Sequence, residues 1–384
     1  MRRVVFARYL CGMTTVSDLC AAMESLAPTR LAGDWDNVGL LLGRRDAPIK
    51  RVLLCIDLTQ AVADEAVNCG AQAIVSYHPI LFEPANRVTA DDALGRALLT
   101  LMESKIAVYS PHTALDAAPG GMADWLASGI GAGVRSPIEP ASEQRESEAV
   151  KVVTHVPRGD VESVRLAMSA AGAGQIGNYT ECSTQIACDG TFKGGDHSSP
   201  VIGNTGELHT VQEYCLTMVC SNACIAAVMH AARAAHPYEE PPIQIVPLME
   251  IPMLGTGGGR VVRLDDPRTL IEIAESMKSH LGVQSLRAAE ATGAPTHHAV
   301  VSCCPGAGGS MLAAAEAAGS TLHITGEMRH HNVLAACERG MCIMLAGHTN
   351  TERGYLPSLR DRIGRRLSVE VRIATTDHTP WRTV

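Results

Sequence analysis

The chain has 384 residues, 46% of them hydrophobic but only 3% aromatic, and a formal net charge of -8. That length suggests two or three domains with sizeable cores, filled mainly by aliphatic side chains. No Lys/Arg cluster reads as a nucleic-acid stripe and no apolar run reaches membrane-spanning length, so neither direct nucleic-acid binding nor a membrane span is expected. The 13 Cys are scattered, with no CxxC pair, and most lie in apolar runs. They read as free thiols of a reducing compartment. Cys215, Cys220 and Cys224 run through a strand-then-helix pattern rather than a zinc knuckle.

The start, MRRVVFARYLCGM, carries three Arg and no acid. It reads either as a mitochondrial transit segment or as an extension ahead of a start at Met13. A cytoplasmic protein, with the mitochondrion as the alternative, is the corresponding expectation. From Val16 a helix is predicted, followed by a loop holding Asp34-Trp35-Asp36-Asn37, where Asp36 and Asn37 read as loop caps. RVLLCIDLT (51–59), AQAIVSYHP (71–79) and IAVYSPHTALD (106–116) are apolar strands separated by helical patterns. Strand-helix-strand repetition predicts a mostly parallel sheet, and ligands collect at the carboxyl ends of such strands. His78 lies just past one end; His112 and Asp116 lie just past another.

The polar stretch 136–149 reads as a linker. Beyond it the order becomes strand, helix, strand, strand, helix, strand, the ferredoxin-like βαββαβ order. Residues 147–250 therefore read as an inserted α+β domain between an N-terminal α/β half, 13–146, and a C-terminal α/β half, 251–384. GTGGGR (255–260) reads as a flexible turn re-entering that second half, and HPYEEP (236–241) as the loop that sets the last inserted strand. The second half repeats the first pattern, with PGAGGS (305–310) as a tight strand-to-helix turn and MCIMLAG leading into GHTNTER (347–353). At helical spacing His348 and Glu352 share one face. The two halves are expected to form one body.

Imidazoles and carboxylates without thiolates suit Zn, Mn, Fe, Co or Ni rather than a structural zinc finger. SYHPILFEP (76–84), YSPHTALDAAPGGMADWLA (109–127), TGEMRHHNVLAA (325–336) and LAGHTNTERGYLP (345–357) resemble the motifs of the GTP cyclohydrolase I type 2 family, also called the NGG-one-interacting-factor-three-like family. DWDNVGLLLG (34–43) and AAHPYEEPPIQI (234–245) fit the resemblance, which runs from about Met13 onward. It implies two divalent metal ions held by His78, Asp116, His348 and Glu352, with His112 in or beside them. Tyr77 stands where many bacterial members have His, which puts one of the two ions in doubt. Glu327 and His331 are expected to move protons in the cavity.

A metal-dependent hydrolase activating water against a nucleotide-like small molecule is the first functional expectation. The alternative is a non-enzymatic metal-binding scaffold, or a transcriptional coregulator acting through protein partners. The resemblance also implies a homo-oligomer, a hexameric ring.

Overall fold

The computed structural model describes residues 13–143 and 145–381, so the Arg-rich residues 1–12 lie outside the described residues. Two compact units divide the chain: residues 1–141 with 253–384, and residues 142–252.

In the first unit, α1 (Val16–Leu26) starts at a capping box: Thr15 accepts from the Asp18 N–H, and the Asp18 carboxylate accepts from Thr15 in return. Then come β1 (Gly39–Leu42), β2 (Arg51–Cys55), α2 (Gln60–Asn68), β3 (Ala73–Ser76), α3 (Ala93–Glu103) and β4 (Ala107–Ser110). Short α4 (His112–Ala117) and α5 (Met122–Ser128) follow, leading to β5 (Gly133–Ser136) and β6 (Glu139–Glu143). β2, β3 and β4 are parallel, with β1 antiparallel on the outer side of β4. Both faces of β3 are buried, as parallel strands covered by helices require.

The second unit has β7 (Val150–Pro157), α6 (Val161–Ala170), β8 (Thr184–Lys193), β9 (Leu208–Cys220), α7 (Ile225–Ala235) and β10 (Ile243–Pro247). Its sheet runs β10-β7-β9-β8, each neighbouring pair antiparallel. Val152, Val164, Met168, Leu216 and Val228 pack its core.

The first unit then resumes with β11 (Ile251–Gly258), β12 (Arg260–Arg268), α8 (Leu270–Leu281), β13 (Arg287–Ala289) and β14 (His298–Cys304). After these come α9 (Leu312–Ala317), β15 (Leu322–Thr325), α10 (His330–Glu338), β16 (Cys342–Leu345), α11 (Leu356–Gly364) and β17 (Glu370–Ile373). β14, β15 and β16 are parallel, with β13 antiparallel on the outer side of β16. This repeats the β2-β3-β4-β1 pattern. The outer strands, however, are exchanged along the chain: β17 completes the first sheet beside β2, and β5 completes the second beside β12.

Two sequence expectations change here. The stretch 136–149 holds β6 and a 3-10 turn rather than a plain linker; β6 pairs with β11 in a two-stranded ribbon. GTGGGR is ordered rather than a flexible turn. Positive φ at Gly255, Gly257 and Gly259 wraps the backbone around Arg260, which is 1% exposed. The Arg260 guanidinium donates to the Gly257 and Gly259 carbonyls at 2.7 Å and pairs with Asp124 at 2.5 Å. A buried guanidinium needs this set of acceptors, and glycines alone bring the carbonyls round to it.

Candidate metal centre

The parallel strands of both sheets deliver residues to one place in the same way. Two residues past β2, β3 and β4 stand Asp57, His78 and His112. Two past β14 and β15 stand Gly306 and Glu327, and three past β16 stands His348. This is the crevice at the carboxyl ends of strands where α/β sheets place ligands.

His78, His348 and Glu352 bring one ligand atom each within 4.8 Å of one another, a group able to hold a metal ion. Glu352 is 1% exposed. Its Oε1 lies 3.4 Å from His348 Nε2 and its Oε2 lies 3.6 Å from His78 Nε2. Among the described residues Glu352 Oε2 has no hydrogen-bond partner, an expensive state for a buried carboxylate. The shared direction of His348 and Glu352 does not come from an α-helix. A 3-10 turn spans Thr349–Thr351, and Glu352 leaves it at φ -126° and ψ -48°. Gly306, at φ 63°, lets the turn after β14 pass close by: a Cβ there would lie 2.9 Å from Glu352 Oε1 and 3.1 Å from His348 Nε2.

All three histidines are held by carboxylates at Nδ1: His78 by Asp57 at 2.8 Å, His112 by Asp36 at 2.8 Å and His348 by Glu327 at 3.0 Å. An ionised carboxylate only accepts, so each Nδ1 carries the proton and each Nε2 is left for a metal. Burial alone would raise the Asp57 and Asp36 carboxyls. Hydrogen bonds from His78, and from His112 with Thr113, outweigh it and hold both below the usual carboxylate range. Burial likewise opposes protonation of His78, but Asp57 and Glu352 overcome it and push His78 up to about 10. The proton so favoured on His78 Nε2 faces Glu352, where a metal ion would sit, so metal uptake must displace it while Asp57 keeps the Nδ1 proton.

His112 and Asp116 fall outside the close trio. The His112 ring lies 5.4 Å from that of His78, and its backbone sits at φ 22°, a sparsely populated region for a residue with a Cβ. The Tyr77 hydroxyl donates to Asp116 Oδ1 at 2.5 Å. Burial and the Asp116 and Glu352 charges push the Tyr77 phenol well above its ordinary value, so Tyr77 stays neutral and occupies an Asp116 oxygen. Burial pushes Asp116 itself up to about 6. Glu327 is exposed and engaged with His348; His331 is exposed on α10, and no hydrogen bond or ion pair joins it to the trio among the described residues.

Sequence reasoning passed over Asp57, and read Asp36 only as a loop cap. The signal for Asp57 was available: it has the same offset from its strand as His78. It also passed over Asp377, which accepts from Ile56 N–H at 2.7 Å and from Arg353 Nη1 at 2.6 Å. Arg353 Nη2 reaches within 3.9 Å of Asp57 Oδ2, so this pair steadies the carboxylate behind His78. Beside His112 a cleft of about 650 Å³ is walled by Trp35, Phe82, Leu42 and Met102. Trp35 and Phe82 face His112 edge-on, at 6.1 and 6.4 Å between ring centroids.

Residues 14–380 match the family described as DUF34/NIF3 (NGG1p interacting factor 3). The chain belongs to the DUF34/NIF3 family. It is 32% identical to a Mycobacterium tuberculosis protein named GTP cyclohydrolase 1 type 2 homolog, over 95% of this chain and 96% of that one. It is 31% identical to the human NIF3-like protein 1, over 95% and 92% respectively. A Bacillus cereus protein related to NIF3 superposes with a TM-score of 0.64 at 29% identity, covering 97% of this chain and all of that one, 100%. A Staphylococcus aureus structure at 22% identity shares the fold, with a TM-score of 0.72 over 98% of this chain and 100% of that one. As in these NIF3 structures, the architecture is mixed α/β with several sheets. Among the described residues no helix is long and apolar enough to cross a membrane.

Proposed function

We propose that this DUF34/NIF3 protein is a divalent-metal-dependent hydrolase acting on a nucleotide-like small molecule, with two ions held by His78, His112, Asp116, His348 and Glu352. The observation that carries this is Glu352: a buried carboxylate with an orphaned oxygen, faced by imidazoles whose Nδ1 protons are already committed. Such a donor set suits Zn, Mn, Fe, Co or Ni. When bound, such ions lower the pKa of water and polarise a carbonyl or phosphoryl oxygen.

The chain's own residues orient and exclude. Asp57, Asp36 and Glu327 each fix the tautomer and plane of one imidazole. Tyr77 restrains Asp116 at Oδ1, which leaves Oδ2 as its free ligand atom and makes that half of the site the weaker one. Glu327 holds the proton on His348 Nδ1. His331 is an exposed proton-exchanging group on α10. The Trp35 and Phe82 wall supports the nucleotide-like reading, because exposed aromatic faces accept a planar heterocycle.

The relatives named GTP cyclohydrolase 1 type 2 homolog fit this reading. The family description as an interacting factor favours the alternative, a metal-binding scaffold or coregulator working through protein partners. The protein works as a homo-oligomer, a hexamer, and the β10-β7-β9-β8 order of the second unit supports its reading as a ferredoxin-like insertion. A panel of nucleoside phosphates should be hydrolysed by the metal-loaded protein, with turnover abolished in His348→Ala. Full turnover in that variant would contradict the mechanism, and a loaded protein inert on the panel would favour the scaffold.

A further inference from the structure

The HPYEEP turn has no part in the metal cluster. His236 is buried as a neutral imidazole: Nε2–H donates to the His155 carbonyl at 2.9 Å, and Nδ1 accepts from Tyr238 N–H at 3.1 Å. This peg makes Tyr238, Glu239 and Glu240 one wall of a cavity of about 500 Å³ inside the second unit. That is an ordinary volume for a small-molecule site. β8, β9 and the loop after Gly194 supply the other walls.

Glu213 of β9 lines this cavity although it is only 6% exposed. Its Oε1 accepts from the Tyr238 hydroxyl at 2.6 Å, while Oε2 accepts from no donor among the described residues. A Cβ on Gly190 would collide with Oε2, so the glycine keeps the approach to that oxygen clear. Asp189, Glu239 and Glu240 add three more carboxylates, and the lining holds no Lys or Arg, with His155 its single imidazole. Phe192, Val201 and Ile202 supply apolar lining to the same cavity.

Glu213 Oε2, without a donor among the described residues, opens on the cavity, where a cationic head would make a charge-assisted hydrogen bond to it. Among the described residues the only three-ligand metal group is His78, His348 and Glu352, so the cavity is not arranged to hold a metal ion. We propose that it binds an organic cation, an amine or guanidinium carried on an apolar body, with the charged head on Glu213 and the body against Phe192, Val201 and Ile202. Tyr238 adds an aromatic ring beside the head. The site is independent of the metal reading.

The test is calorimetric titration of the full chain with 4-phenylbutylamine, 4-phenylbutan-1-ol and 4-phenylbutanoate. The amine should bind one per chain, and both other probes should bind at least about tenfold more weakly, the worth of a charge-assisted hydrogen bond. Glu213→Gln should weaken the amine by a similar factor. Val201→Arg, at a position 63% exposed, should abolish amine binding by supplying the cation internally. Undetectable amine binding at millimolar concentration, equal binding of the alcohol or the carboxylate, or unchanged amine affinity in Val201→Arg would overturn the proposal.

Discussion

Three imidazoles with their Nδ1 atoms on carboxylates can present only Nε2 to a shared ligand, and this single constraint organises the site. His78, His112, His348 and Glu352 were legible as residues just past apolar strands. Their orienting partners were legible only in part: Glu327 was singled out for its chemistry, Asp36 was read as a loop cap, and Asp57 was passed over although it has the strand-end offset of His78. Asp377 could not be read, because it stands about 320 residues from the Ile56 amide it binds. Asp57→Asn keeps the shape but removes the charge that fixes His78. Metal affinity, measured by chelator competition, should fall about 10- to 100-fold. Unchanged affinity would show that Asp57 does not orient His78 for a metal.

At the scale of elements, the parallel strands were readable because their apolar runs have strand length and end at turn residues. The segments misread were those whose order is imposed from elsewhere: β6 is exposed and polar but paired with β11, and GTGGGR is held by Arg260 and Asp124. β15 carries a further element-level consequence. His323 is fully buried there, with Nδ1 at 2.8 Å from Ser302 Oγ and Nε2 without a hydrogen-bond partner among the described residues. Burial pushes its pKa down to about 4 from the ordinary 6.5. Below pH 6.5 the unfolded chain takes up a proton that the folded chain refuses, so this stability is present above 6.5 and is lost as pH falls toward 4. Between pH 7 and pH 5 the loss is about 2 kcal/mol. Urea unfolding at the two pH values should show His323→Gln losing less stability than wild type by about that amount. Parallel losses in both proteins would refute the assignment.

For the whole molecule, the repeat of two strand-helix halves was visible in the sequence, but the exchange of outer strands was not. β17 pairs with β2 across most of the chain and β5 with β12 across the inserted unit, and local periodicity carries no record of such distant partners. Through this exchange each sheet takes a strand from the other half of the chain, tying together the two halves whose six strand ends carry the site residues. The central claim is that those ends hold metal through Glu352. The direct measurement is metal per chain, by elemental mass spectrometry, after reloading wild type and Glu352→Gln. Wild type should carry about two ions per chain and the variant should lose them, because the buried Glu352 carboxylate faces both His78 and His348. A wild type that takes up no metal, or a variant that keeps its full complement, would contradict it.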